Sequence, residues 1–424
     1  MNTALKTSEV DANFDADTGE HVVVGKLLDT CPKATLSNCR RELALDYESF
    51  ATTCADRDFR AITPGSAMHF EKLGLMLCAT SKEQARKGNL FSRVEQIHAG
   101  ARLRRLPQPP FKEADADNDN DDAVGTARSP ADPQWGLREI GALDSEFTGK
   151  GVRVCVIDTG FNIFHDDLKK VDAAHRRSFV GDSTVMSAHA GHGTRSAGIV
   201  GGPLRPAHGL RYGVAPDAEL FVAKVLGKNG ITIEALITAL GWAVENQCAV
   251  VSMSIGDELP MTVFSSGAME LAASSALAAG TLVVAGAGND SMRDKVIQPI
   301  DHPANCKSIM AVAAIEQTMK IAHYSNAGPP GGGEPKVDIT GPGSSRSASF
   351  PTRYKVESGT SIATPFVAGV AALFAEAFPD VRGQELWDLL CSKARELPGH
   401  NARDFGAGLV RAPRKSDTSL LRAV

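Results

Sequence analysis

Three short segments carry residues that could do chemistry together. Asp158 closes the apolar run VRVCVIDTG, His192 stands in AGHGTRSAGIVGG, and Ser361 stands in SGTSIATPFVAGVAAL. A carboxylate, an imidazole and a hydroxyl are the parts of a nucleophilic relay. The imidazole takes the hydroxyl proton, and the carboxylate fixes the imidazole tautomer and steadies the cation that forms. Each segment is ambiguous alone. Asp-Thr-Gly also occurs in aspartic proteases and at ordinary strand-to-turn junctions, but a pepsin-like enzyme needs a second such Asp in an all-β chain, which is not found here. A lone His is more often structural, and the chain has eleven. Ser361 opens an Ala-rich helix, where it could cap as well as attack. A helix start also offers unpaired N–H groups and a positive dipole end, which suit an oxyanion. Pro365 reads as lying in the first turn of that helix, where its missing N–H costs nothing.

These residues need a scaffold, and the pattern around them supplies one. Short apolar runs cover Val152–Asp158, Glu219–Leu226, Ala249–Ile255, Thr281–Ala287 and Ser308–Ala314. Helix-like stretches cover Thr194–Ile199, Thr232–Asn246, Phe264–Ala279, Ile362–Phe378 and Gly383–Arg395. Strands apolar on both faces and separated by helices predict an α/β fold with a mostly parallel sheet covered on both sides. Asp158 then falls at the carboxyl end of a strand, the edge where such sheets gather their catalytic groups.

The order Asp, His, Ser, with DTG, GHGT and GTSxATP around the three, resembles the subtilisin-like serine proteases, the S8 family. GVAP at 213–216, HPAN at 302–305 and GAGLV at 406–410 extend the likeness over residues 135–412. The resemblance implies a three-layer fold and an Asp158–His192–Ser361 triad that forms an acyl-enzyme. It also implies that the amide of Asn289, in VVAGAGND, donates to the developing oxyanion together with the Ser361 N–H. Ser254-Ile255-Gly256 matches the strand that pairs with a substrate backbone. Asp290, with Asp301 near it, falls beside the primary specificity pocket; two acids there would favour a basic residue before the cut, although both read equally well as solvated loop acids. His192 must be neutral to act as a base, so activity is expected to fall as pH drops through about 6–7.

The sequence also departs from the family. Arg195 stands where a second His is usual, so helix packing or substrate contacts there are expected to differ. The loop Pro203–Tyr212 lacks the carboxylates and Asn of the strong calcium site of secreted relatives. No calcium is expected there and no other cofactor is called for, with weaker calcium sites elsewhere left open.

Length and composition set the remaining bounds. At roughly 150 residues per domain, 424 residues suggest three domains, but the motifs reduce these to two. Residues 1–19 read as a disordered start, 20–110 as a small domain, 111–134 as an acidic linker, 135–412 as the catalytic domain and 413–424 as a loose tail. The small domain reads β-α-β-β-α-β, the ferredoxin-like α+β arrangement. Its strands are expected at His21–Leu28, Asp58–Thr63, Leu73–Thr80 and Val94–Leu106, with helices at Leu36–Ala51 and after Thr80. Family members often carry such a unit as an inhibitory propeptide, so the chain's own N-terminal domain is an expected partner beside a protein or peptide substrate. The linker is too acidic to pack, and it lacks the Gly and Glu that an EF-hand loop needs at 120 and 126.

A net charge of −5 argues against nucleic acid and anionic membranes. The longest charge-free stretch, Leu271–Gly288, is split by Gly280 and reads as a core helix and strand. Eight cysteines without metal or CxxC spacing, together with a start that has no apolar signal core, lead to an expected cytoplasmic location. Two function classes result. One is an active serine endopeptidase, with a dedicated intracellular peptide-processing protease as its narrower form. The other is an inactive subtilisin fold used for binding, which the intact triad disfavours.

Overall fold

The computed structural model describes residues 22–27, 46–49, 66–79, 91–97, 102–105, 132, 134–180, 184–185, 190–227, 230–256, 266–331, 333, 336–350 and 353–417. In the N-terminal part, β1 (Val22–Leu27), β2 (Asp46–Ser49), β3 (Ser66–Phe70), β4 (Leu75–Ala79) and β5 (Phe91–Ile97) form one sheet in the order β2-β3-β4-β1-β5. Leaving aside the edge strand β2, this is the strand order of a ferredoxin-like sheet.

Two expectations need correction here. β2 lies inside the stretch 36–51 expected as a helix. It pairs in parallel with β3, so the open edge of a sheet decides the backbone conformation over local helix preference. The strand expected at Val94–Leu106 is two strands in different sheets, β5 and β6 (Arg102–Arg105). Residues 58–63, the helix after Thr80, residues 1–19 and most of the linker lie outside the described residues.

From α1 (Trp135–Glu139) onward, strands and helices alternate. In chain order they are β7 (Arg153–Asp158), β8 (Arg176–Ser178), α2 (Ala190–Gly201), β9 (Glu219–Lys224), β10 (Leu226–Gly227), β11 (Gly230–Thr232) and α3 (Ile233–Glu245). β12 (Val250–Met253), β13 (Ile255–Gly256), α4 (Ser266–Ala278), β14 (Leu282–Gly286), β15 (Met310–Ile315) and β16 (Ile339–Pro342) follow. The chain then forms the hairpin β17 (Ser344–Ala348) and β18 (Tyr354–Ser358), and ends in α5 (Thr360–Ala377), α6 (Gly383–Lys393) and α7 (Ala402–Phe405).

Seven strands make an all-parallel sheet in the order β16-β15-β14-β12-β7-β9-β8. The sheet is buried on both faces because alternate side chains feed two cores. Val154, Val156, Leu282, Val284, Met310 and Val312 join α2 and α5 on one side. Cys155, Ile157, Val283, Ala285, Ala311 and Ala313 join α3 and α4 on the other. That explains why the strands read as unbroken apolar runs. α5 is the one helix among the described residues long and apolar enough to cross a membrane, and its side chains fill the core.

The chain runs from β7 outward to β9 on one side and starts again at β12 on the other. β7 therefore borders the topological switch point, where a crevice opens at the carboxyl ends of the strands. The tail expected to be loose is tied down as far as Asp417, whose buried carboxylate accepts the Arg414 N–H at 2.8 Å and pairs with Arg411 at 3.2 Å.

Candidate active site

Asp158 ends β7 and is fully buried. Its Oδ1 accepts the Thr159 N–H at 2.6 Å and meets Nδ1 of His192 at 2.7 Å, and its Oδ2 accepts the Ser196 hydroxyl at 3.0 Å. Burial alone would raise this carboxyl. The His192 charge and the hydrogen bonds from His192, Thr159 and Ser196 outweigh burial and hold it below its ordinary range. An ionised carboxylate only accepts, so Nδ1 of His192 donates to it. Nε2 is buried with no hydrogen-bond partner among the described residues.

His192 and Ser196 lie one turn apart in α2, so a single helix brings both to Asp158. Sequence reasoning misses Ser196. Its only signal there is the i, i+4 spacing from His192.

Ser361 is the second residue of α5, whose N-cap is Gly359. Gly359 has φ 149°, outside the range of ordinary side chains. A β-carbon on it would lie 3.0 Å from Ser361 Oγ and 3.4 Å from Asn289 Nδ2, so those two groups converge over the bare Cα. The cap that Gly359 cannot give comes from Asn289. Its Oδ1 accepts the Thr360 N–H at 2.8 Å and the Thr360 hydroxyl at 3.0 Å. Because Oδ1 is the acceptor, the amide turns its donor Nδ2 toward Ser361.

Pro365 is corrected by the structure: it lies inside α5, in the second turn. It cannot donate to the Ser361 carbonyl, four residues back. The Ser254 hydroxyl donates there instead, at 2.9 Å. A proline and a serine together thus fasten the start of β13 to the residue bearing the nucleophile.

β13 and β11 form the walls of a slot, and β6 fills it. The four strands run β10-β11-β6-β13. β6 is antiparallel to both neighbours, with Arg102 opposite Thr232, Leu103 opposite Ile231, Arg104 opposite Gly256 and Arg105 opposite Ile255. Ile255 and Gly256 thus do pair with an extended segment, and that segment belongs to the same chain. Ser361, His192 and Asn289 are 0, 2 and 7% exposed, so the site is closed to solvent.

Of the two acids, Asp290 is half-buried beside Asn289, with its N–H donating to Asn326 Oδ1 at 3.1 Å. Asp301 is buried, accepts Asn326 Nδ2 at 3.1 Å, and lies where a β-carbon on Gly288 would be.

Comparison with known proteins agrees with this geometry. The family model described as the subtilase family, peptidase S8, matches residues 149–408. The chain belongs to the subtilase family of serine proteases. Among relatives, the M-protease of Shouchella clausii (strain KSM-K16) is 35% identical over 297 residues, covering 69% of this chain and 72% of the relative. Subtilisin Savinase of Lederbergia lenta is 35% identical over 283 residues, covering 66% of this chain and 96% of that one. Among solved structures, Sphericase aligns with a TM-score of 0.57 at 28% identity, over 68% of this chain and 100% of its own.

Two features of this subtilase follow from its departures. Arg195 is buried in α2, donates to Ser349 Oγ at 2.8 Å and forms an ion pair with the buried Glu357 of β18. The helix that carries His192 is thereby tied to the hairpin that leads to Ser361. Asp167 accepts the Ala207 N–H at 2.6 Å, the Tyr212 hydroxyl at 2.7 Å and the Tyr354 hydroxyl at 2.8 Å. Three donors therefore converge on a carboxylate that faces the loop Pro203–Tyr212.

Proposed function

We propose that this subtilase is a serine endopeptidase acting through Asp158, His192 and Ser361. His192 Nε2 takes the Ser361 proton as Oγ bonds to the substrate carbonyl. The Asn289 amide and the Ser361 N–H donate to the oxyanion that forms. The imidazolium, held by Asp158, returns its proton to the leaving amine. Water then repeats the sequence on the acyl-enzyme and restores the serine. The observation that carries this reading is the Asp158–His192 bond of 2.7 Å with His192 Nε2 left as the base. A Ser361→Ala chain is expected to lose peptide hydrolysis, and retained hydrolysis at the wild-type rate would refute the assignment.

Ser254, Ile255 and Gly256 hold the substrate backbone by strand addition. The acids Asp290 and Asp301 favour Lys or Arg before the cut, supported by the burial of Asp301 against Gly288, next to Asn289. A peptide library is expected to show that preference; an apolar preference would overturn it.

The N-terminal domain inhibits the enzyme by placing β6 in the substrate slot, with the acidic linker at 111–134 as the joint where it can be cut free. Support comes from the pairing of β6 with β11 and β13 and from the closure of the site.

No calcium is bound at the loop Pro203–Tyr212. The hydroxyl and amide dipoles converging on Asp167 point their positive ends at the place a cation would take, so the residues there do not fit one. A chelator is expected to leave the amide exchange protection of the loop Pro203–Tyr212 unchanged. Among the described cysteines, Cys155, Cys248 and Cys391 are not joined in disulfides. That supports work in a reducing compartment, and with it a protease that processes peptides inside the cell.

A further inference from the structure

The strand β6 is short, so something else must hold it in the slot. Four residues paired by backbone alone make a weak grip. The hairpin β3–β4 supplies a stronger one. Phe70, at its tip, is fully buried in the same apolar cluster as Ile237, Leu240 and Ala272 of α3 and α4. Its ring occupies the place a β-carbon on Gly241 would take, so α3 offers a notch that only a glycine leaves open. Two residues further on, the Lys72 N–H donates to Glu245 Oε1 at 2.9 Å and its ammonium donates to the Glu245 carbonyl at 2.6 Å. A cation at the last carbonyls of a helix is well placed with respect to the helix dipole.

We propose that Phe70 in the Gly241 notch, clasped by Lys72 at the end of α3, is the anchor that sets how long β6 stays in the substrate slot. The inference rests on reading β6 as the inhibitor, and it makes Gly241 a regulatory position far in sequence from every catalytic residue. Opening the slot requires the anchor to leave. Once Phe70 is out, β6 is only a tethered peptide competing at the effective concentration its linker allows. The exposed fraction of the site, and not its chemistry, is what the anchor controls.

The test uses the full chain and the rate at which a fluorophosphonate labels the active-site serine, with chain length checked by mass at each time point. Phe70→Ala empties the notch and Gly241→Leu fills it. Each is expected to speed labelling at least about tenfold, as truncating a central aromatic anchor does elsewhere. The double variant, in which the side chain introduced on α3 fills the space that the ring of Phe70 gave up, is expected to label more slowly than either single variant, because the two sites are coupled. Leu103→Pro removes an N–H from a strand paired on both sides, and it tests the inhibition itself. If Leu103→Pro speeds labelling while Phe70→Ala and Gly241→Leu match wild type, the anchor is wrong and the inhibition stands. If Leu103→Pro also labels at the wild-type rate, the inhibition by β6 is wrong and the anchor falls with it.

Discussion

At the scale of single residues, the site is a set of constraints that leave each group one role. Asn289 spends Oδ1 on capping α5 and so has only Nδ2 to give to an oxyanion. Asn289→Leu is therefore expected to lower kcat with little change in KM. The drop should be about 10²–10³, the range known for this kind of donor in subtilisin itself, from which the figure is taken. Steady-state kinetics on a peptide amide would check it.

Asp158 makes a separate prediction about stability. Its carboxyl is held below the reference value of 3.8, so it stabilises the fold at pH values above that reference. That stability is lost as pH falls through the lower folded-state value. Urea unfolding is expected to show a fall in stability below about pH 4 that is shallower in Asp158→Asn, because Asn takes up no proton there. Asp417 is also held low and accounts for part of the remaining slope.

The meeting of Asp158 with His192 and of Asn289 with the start of α5 is legible in the sequence because each residue sits in a motif whose glycines and apolar flanks imply that geometry. Ser196 and the pairing of Pro365 with Ser254 are not. Their meaning depends on which groups meet across α2, β7, β13 and α5, and sequence spacing hides that.

At the scale of elements, the Arg195–Glu357 pair joins α2, which carries His192, to β18, which leads to Ser361. Both charges are buried, and Glu357 also pairs with Lys355 at 2.8 Å, so losing the Glu357 charge removes the ionic partner of a buried guanidinium. Glu357→Gln is expected to destabilise the protein by about 3–5 kcal/mol, whereas replacing both residues by apolar ones of similar volume should recover most of that. Denaturant midpoints for the single and double variants decide it; equal midpoints for Glu357→Gln and wild type would show that the pair does not matter.

The sequence marks Arg195 as unusual but not its partner, since five strands of the central sheet lie between the two in the chain. β5 and β6 read as one strand because no turn residue other than Gly100 divides them, and β6, with three arginines in four residues, does not stand out as a strand of its own. β2 is hidden because an edge strand is set by its neighbour more than by its own residues. The main strands and helices of the large domain are legible, within a few residues at each end, because a doubly covered parallel sheet demands apolar runs on both faces.

At the scale of the whole molecule, this subtilase pairs a segment of its own, β6, with β11 and β13, the strands proposed to hold the substrate. The two parts share one apolar cluster through Val24, Phe70, Leu73, Leu75 and Leu77. That sharing explains how an N-terminal unit with few long apolar runs gains order. It borrows the outer faces of α3 and α4, which would otherwise lie bare. The proposed chemistry depends on Ser361 being the nucleophile.

The most direct test is to react wild type and Leu103→Pro chains with a fluorophosphonate and locate the adduct by peptide mass spectrometry. The expected result is a single adduct on Ser361, fast in Leu103→Pro, and lost in His192→Ala and Ser361→Ala chains. An adduct on another serine, or labelling that survives Ser361→Ala, would contradict it.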